Sequence, residues 1–239
     1  MNKLHALLDD TYTLGLLYIP GSDFNRHYTA ISNNEDIYQF MKWDKDGYQY
    51  YSQKTSDFGF NYADWEMVYI NQVSGKAGFY NTYGNDMKKL MTLINSKGGK
   101  RFDYGMIMPW AYASNSTLSQ FNAYDRDQIK MYTMISSTVK DVYYEVNDII
   151  KVLPTGTVIQ NARQTPLINI GNELTRDTQH LEEEKARQIA SLTAYAFITN
   201  NSIDNMNNGV FTEEEFTHVK DSIHKTIDKP FTITIWYTI

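Results

Sequence analysis

An α/β chain organised around a mainly parallel sheet is what this sequence predicts, and three observations predict it. Four short apolar runs, at residues 13–19, 65–70, 104–108 and 148–153, alternate with segments of helical period. Each run stops in a loop rich in Gly, Asn, Ser or Pro. The only linker-like stretch, residues 200–209, precedes a segment too short to fold alone, so the alternation belongs to one domain, residues 1–239. Such alternation marks βαβ units, whose sheets carry their sites in the loops beyond the strand C-termini.

Taken in order, TLGLLYI at 13–19 is almost wholly apolar and ends at Pro20-Gly21, which suits a buried strand better than a helix. The loop after it holds Gly21, Ser22 and His27. Residues 34–43, NEDIYQFMKW, carry Ile37, Phe40 and Met41 at helical spacing, and DKDGYQYYSQK then turns back like a hairpin. This pair reads as an excursion from the core sheet. WEMVYI at 65–70 is the second core strand, running into a loop with Asn71, Gln72 and Ser74. Residues 85–99 have a helical period, with Met87, Leu90, Met91 and Ile94 on one face and glycines at the stop.

The third strand, 104–108, ends in Pro109-Trp110 and a polar, aromatic loop with Tyr112, Ser114 and Asn115. A helix follows over 127–146, with Ile129, Tyr132, Ile135 and Val139 on its buried side. The fourth strand, 148–153, is stopped by Pro154 and Gly156, and the stretch beyond it reads as a loop bearing Gln160, Asn161 and Arg163. Residues 172–200 place Asp177 three positions before His180 and then run into a helix with Ile189, Leu192, Tyr195, Ala196 and Ile198. The pair is thus expected at the mouth of that helix. A last helix, 212–227, has a capping box at Thr212 and Glu215, and residues 231–239 form an alternating, β-forming tail.

Composition narrows the chemistry. A chain of 239 residues, 42% hydrophobic and 21% charged, can bury one substantial core. A net charge of −6 with no basic block leaves no electrostatic footprint for nucleic acid. There is no Cys, which removes disulfides, thiolate metal sites and a Cys nucleophile. No apolar run is long enough for a membrane span, and Asp9 and Asp10 break the N-terminal apolar patch that a secretory signal would need. The five His are scattered and no P-loop or Gly-rich dinucleotide motif occurs, so neither a metal nor a cofactor is expected.

Two readings of Asp177-x-x-His180 follow. It is the orienting half of a Ser-His-Asp triad, in which the acid fixes the imidazole tautomer. Or Thr175 or Asp177 is a helix N-cap and His180 simply faces solvent. Acyl transfer is the chemistry best matched by what remains.

The strings YIPGSDFNRHY, NQVSGKAG, MPWAYASNST, FNAYDRDQIKMY, LPTGTVIQNAR and LTRDTQHL resemble, in the same order, an uncharacterised bacterial branch of the SGNH, or GDSL-type, hydrolases. The resemblance implies a three-layer α/β/α domain that hydrolyses esters, including acyl groups on carbohydrates, exported in its full-length form. It implies Asp177 as triad acid, His180 as general base, Gly21 as a backbone oxyanion donor, and Asn71 or Gln72 as the side-chain donor. Trp110, Tyr112, Asn161 and Arg163 are the matching substrate-side candidates.

The chain departs from that family at the nucleophile, which the family carries in a G-(D/N)-S block after its first core strand. Only twelve residues precede TLGLLYI and none is Ser, so the expectation is a chain begun one βα element late and inactive as it stands. Otherwise Ser22 stands in as nucleophile. Ser74 and Ser114 read as loop hydroxyls bonding their own backbone. A missing central strand would leave backbone unpaired, at about 1–3 kcal/mol for each buried group. The β-forming tail, from this chain or from a second copy, is expected to fill the slot by strand addition, with a homodimer or strand swap as the result. The rival reading is a non-catalytic glycan-binding module gripping sugar with Trp43, Trp110, Tyr112 and Tyr124.

Overall fold

The computed structural model describes residues 1–234. Along them run α1 (Asn2–His5), β1 (Leu14–Tyr18), α2 (Phe24–Ser32), β2 (Tyr38–Asp44), β3 (Gly47–Lys54), α3 (Ser56–Phe60) and β4 (Met67–Ile70). The chain continues through α4 (Gly84–Lys97), β5 (Asp103–Ile107), α5 (Gln128–Glu145), β6 (Ile149–Leu153), α6 (Thr155–Ala162), α7 (Lys185–Thr199) and α8 (Glu213–Asp228). The α/β class expected from the sequence holds.

Three of the four apolar runs form a parallel sheet in the order β4-β5-β6. The middle strand is the best buried, with Tyr104 and Met106 at 0% exposure. Against it α4 packs Met87, Leu90, Met91 and Ile94, and α5 packs Met131, Tyr132, Ile135, Val139 and Val142. Ile129 departs from expectation: it sits in the first turn of α5 and stays 49% exposed, so the buried stripe begins at Met131. The capping box of α8 is realised, Glu215 N–H donating to Thr212 Oγ1 while Thr212 N–H donates to Glu215.

The first apolar run does not join the parallel sheet. β1 pairs antiparallel with β2, and β2 with β3, in a separate three-stranded sheet. Residues 38–44 are therefore a strand, which corrects the helical reading of 34–43. Ile37, Phe40 and Met41 do fall at helical spacing, but Tyr38, Phe40 and Lys42 alternate inward, and β1 supplies the ladder. Phe40 is caged by Tyr51, Phe58 and Tyr62, a reward that only the strand geometry collects. The hairpin turn falls at Asp44–Gly47, where Gly47 takes φ +88°.

Residues 155–162 form α6, buried along its whole length, and this corrects the loop reading of that stretch. Thr, Gly and Val are weak helix formers, so propensity hid a helix that packing imposes. Val158, Ile159 and Ala162 share a second core with Ile189 and Leu192 of α7 and Phe216, Val219 and Ile223 of α8. Gly156 admits the helix against the end of β5: its N–H donates to Met108 O at 2.9 Å, and a Cβ there would lie 2.3 Å from Pro109 O.

The described part of the tail is not a strand. Pro230 O accepts from Thr157 Oγ1 (2.7 Å), Thr234 N–H donates to Asn161 Oδ1 (3.0 Å), and Thr234 O accepts from Gln164 (3.2 Å). Those groups are therefore used on α6 and the residues just after it, and none pairs with β1. The rest of the expected strand, 235–239, lies outside the described residues. Among the described residues, no helix is long and apolar enough to cross a membrane.

Replacing Gly156 with Ala pushes a methyl into the Pro109 carbonyl, a backbone atom that cannot swing aside. A loss of about 1–3 kcal/mol is expected by urea denaturation, and an unchanged midpoint would refute this account of how α6 is seated.

Candidate active site

The loops after β4 and β5, and the segment between α6 and α7, gather at the C-terminal edge of the parallel sheet. Arg163, the C-cap of α6, ties two of them together. The residue is 5% exposed; Nε donates to Glu173 O (3.0 Å) and Nη1 to Ala111 O (3.0 Å) and Gln160 Oε1 (3.1 Å). Burial pushes its pKa down to about 10, with the Glu173 charge opposing, so it stays a cation at neutral pH. Glu173 extends the tie. Its carboxylate accepts from Ser114 N–H (2.7 Å), from the Ser114 hydroxyl and from Gln128 Nε2 (2.7 Å), and Gln128 also donates to Tyr112 O (3.0 Å).

This frame holds the turn that carries Asp177 and His180. Three residues near it, Glu173, Leu174 and Thr178, take φ of +51°, +66° and +69°. Such backbone persists only where the surroundings over-determine it. They do so here: Trp110 Nε1 donates to Gln179 O (2.7 Å), Ala113 N–H to Thr178 O (2.9 Å), and Arg176 N–H to His180 O (2.9 Å). Four residues separate His180 from the first residue of α7, so the pair stands on its own pinned turn and not at the mouth of that helix.

Within the turn, His180 Nδ1 lies 2.8 Å from Asp177 Oδ2, and the N–H groups of His180 (2.7 Å) and Gln179 (3.2 Å) donate to Asp177 Oδ1. Burial pushes the Asp177 carboxyl up, but those bonds and the His180 charge outweigh it and hold the carboxyl at about 2. An ionised Asp177 can only accept, so the proton of neutral His180 sits on Nδ1 and Nε2 is left with its lone pair. Nε2 makes no hydrogen bond among the described residues. Both side chains reach solvent, at 53% and 46% exposure. The turn thus offers an oriented base to whatever approaches from outside.

Gly21, Asn71 and Gln72 are not bonded to that pair: no hydrogen bond or ion pair among the described residues joins them to Asp177 or His180. Their two loops do meet each other: Asp23, the N-cap of α2, forms an ion pair with Lys76, and a polar cleft of about 170 Å³ is lined by Asp23, Asn25, Gln72, Lys76, Thr82 and Asp86. Gly21 has φ +64°. Gln72 is buried, its amide donating to Thr82 O at 2.9 Å and accepting from Val73 N–H at 3.0 Å. Asn71 is exposed, and its side chain makes one long bond, 3.4 Å to Gln72 O. Ser74 is also a loop residue here, its carbonyl 3.5 Å from the Tyr124 hydroxyl.

Ser22 belongs to a different network from the one expected of a nucleophile. Its Oγ lies 2.8 Å from Ile19 O and 2.7 Å from His27 Nε2, while His27 Nδ1 lies 3.1 Å from the Tyr38 hydroxyl. One assignment satisfies all three contacts: Tyr38 donates to Nδ1, Nε2–H donates to Ser22, and Ser22 donates to Ile19 O. In that arrangement His27 offers the serine a proton and cannot take one. Burial brings the His27 pKa down to about 4, Asp23 opposing and Arg26 reinforcing.

Other sequence candidates prove to be scaffold. Asn161 is 0% exposed and divides its amide between Thr226 and the tail; Tyr112 is 2% exposed, its ring edge-on to Phe121. Trp43 and Tyr124 are buried as well, which removes three of the four aromatics on which the glycan-gripping loops depended. Trp110 is partly exposed, with its N–H spent on Gln179 O. Glu173 and Gln128 were missed from the sequence. Their partners lie 45 and 59 residues away, and no local pattern announces such a pairing.

The family described as Domain of unknown function (DUF4886) matches residues 3–227. The crystal structure of a DUF4886 family protein from Bacteroides uniformis ATCC 8492 is similar over 97% of this chain and 90% of that one, with a TM-score of 0.87 and 29% identity. No curated protein matches.

Two measurements probe this site. Arg163→Met strips donors from Glu173 O, Ala111 O and Gln160, and should cost about 3–5 kcal/mol in urea; Arg163→Lys, lacking the fork, should recover less than half. A loss under 1 kcal/mol for the Met variant would mean that Arg163 does not hold the loops. For His27, the unfolded state binds more protons between its ordinary pKa and about 4. Stability should therefore fall as pH drops from about 6.5 to about 4, by about 3 kcal/mol relative to His27→Gln. Parallel pH profiles for the two proteins would contradict the buried, neutral imidazole.

Proposed function

Because the chain belongs to the DUF4886 family, a domain of unknown function, its reading rests on its own chemistry, and we propose an ester-hydrolase scaffold of the SGNH type, acting on acyl esters including those of carbohydrates. The observation that carries this is the Asp177–His180 pair, with Asp177 ionised, the Nδ1 proton directed to it at 2.8 Å and Nε2 free. In the reaction, Nε2 takes the proton of a serine hydroxyl as its oxygen attacks the ester carbon. The protonated ring then returns that proton to the departing alcohol, and water repeats the sequence to release the acid. Of the two oxyanion candidates, Asn71 is the one whose amide remains available, and the Gly21 N–H is the backbone partner.

The layer arrangement belongs to the same reading. Leu4, Leu8 and Ala194 of the first helical turns and α7 cover Leu153 and Ile107 from one side, while α4 and α5 lie against Tyr104 and Met106. A three-layer α/β/α sandwich accounts for both. It also accounts for β1 and β4, two strands of almost purely apolar sequence that are half-buried and stand at the edges of their sheets. A strand buried on both faces normally reads that way, and a strand entering between them is where the serine would be carried. None of the serines of the described residues hydrogen-bonds His180.

The reading is tested with p-nitrophenyl acetate, using residues 1–239 and the same chain preceded by a strand ending in Gly-Asn-Ser. Turnover is expected only in the longer chain, and His180→Ala there should reduce it on the order of 10³-fold or more. Turnover by residues 1–239 that survives His180→Ala, or none in either chain, would discard the proposal.

A further inference from the structure

The antiparallel sheet breaks the usual rule for a sheet with one covered face. Such sheets alternate apolar residues inward with polar residues outward. Here Phe40, Tyr51 and Lys42 face α3 and Tyr62. On the other side the register sets Leu14 beside Trp43 and Tyr48, Leu16 beside Met41 and Tyr50, and Tyr18 beside Gln39. Trp43 is covered by Asn2 and by the Tyr48 ring, 5.1 Å away. Beyond it Tyr18, Tyr48 and Tyr50 remain 40%, 51% and 49% exposed.

No residue in those rows is charged, in a chain with 22 Lys and Arg and 28 Asp and Glu. Lys54, the one charge on β3, turns to the far face, over the Phe58 ring. An exposed apolar patch of this kind marks an interaction surface, and its lack of charge selects an uncharged partner. The rings stand separately: the two-residue repeat sets Tyr48 and Tyr50 about 7 Å apart along the strand, and Tyr18 stands about 10 Å across it. Between them lie Gln39 and Met41. Spaced rings with an apolar face and a polar tip, beside an amide, match successive sugar rings, whose C–H faces stack while their hydroxyls bond outward.

We propose that this face, centred on Tyr18, Tyr48 and Tyr50, binds a neutral oligosaccharide. It is independent of Asp177 and His180 and stands whether or not the chain belongs to an esterase.

Isothermal titration with cellohexaose, mannohexaose, xylohexaose and a hexamer of galacturonate tests it, alongside sedimentation velocity of the protein alone. At least one neutral hexasaccharide should bind, and more tightly than the uronate. Tyr48→Ala/Tyr50→Ala should weaken it at least ten-fold, Tyr18→Ala on the neighbouring strand should weaken it too, and Tyr144→Ala, at an exposed ring on α5, should leave it unchanged. Circular dichroism confirms that each variant is folded. Absence of binding by every neutral probe at millimolar concentration overturns the proposal, as does binding indifferent to the tyrosine variants or equal for the uronate. Self-association that the double substitution abolishes also overturns it, by assigning the face to a second copy of the chain.

Discussion

A buried guanidinium governs the arrangement at the sheet edge. Taking Arg163 out of water is costly, and the cost is offset only by good geometry with its acceptors. Two of those are the carbonyls of Ala111 and Glu173, 52 and 10 residues distant in the chain. A planar fork can meet both at once, which a lysine cannot. Glu173 then gathers Ser114 and Gln128 with its carboxylate, and the left-handed backbone at Glu173, Leu174 and Thr178 is held in place. The order of the Asp177–His180 turn is inherited from this clamp.

What the clamp presents is a small piece of chemistry in an open position. Asp177 accepts two backbone N–H bonds as well as the imidazole, so its charge is held by the turn that carries it. The backbone dipoles of the turn are thereby aimed at that charge by the fold itself. The Gly21 and Gln72 loops form a second unit, joined through Asp23 and Lys76. β1 and β4 are the edge strands of their two sheets.

Much of the fold was legible residue by residue. The buried stripe of α4, the capping box of α8 and the three parallel strands follow from periodicity and stop signals, which are local. The failures share a cause. At β2 the spacing of Ile37, Phe40 and Met41 fits a helix, yet pairing with β1 and the aromatic cage around Phe40 decide for a strand. At α6 weak helix formers are overruled by burial between α7 and α8. In both places long-range contacts outweigh a propensity worth only a few tenths of a kcal/mol per residue. The site divides the same way: Asp177 and His180 are three residues apart and visible, whereas Glu173 and Gln128 find partners far along the chain.

By itself, then, the sequence determined the α/β class, the three parallel strands, the helices α4, α5 and α8 and the Asp177–His180 pair, because each depends on residues within a turn or two of one another. The tertiary structure alone decided which sheet β1 joins, that Asn161, Arg163, Tyr112 and Trp43 are interior, and that Ser22 answers to His27 and Ile19. Those outcomes turn on which distant groups share a buried volume. Burial rewards whichever pairing satisfies the most polar atoms at once, and that is a property of the whole packed chain and not of any segment.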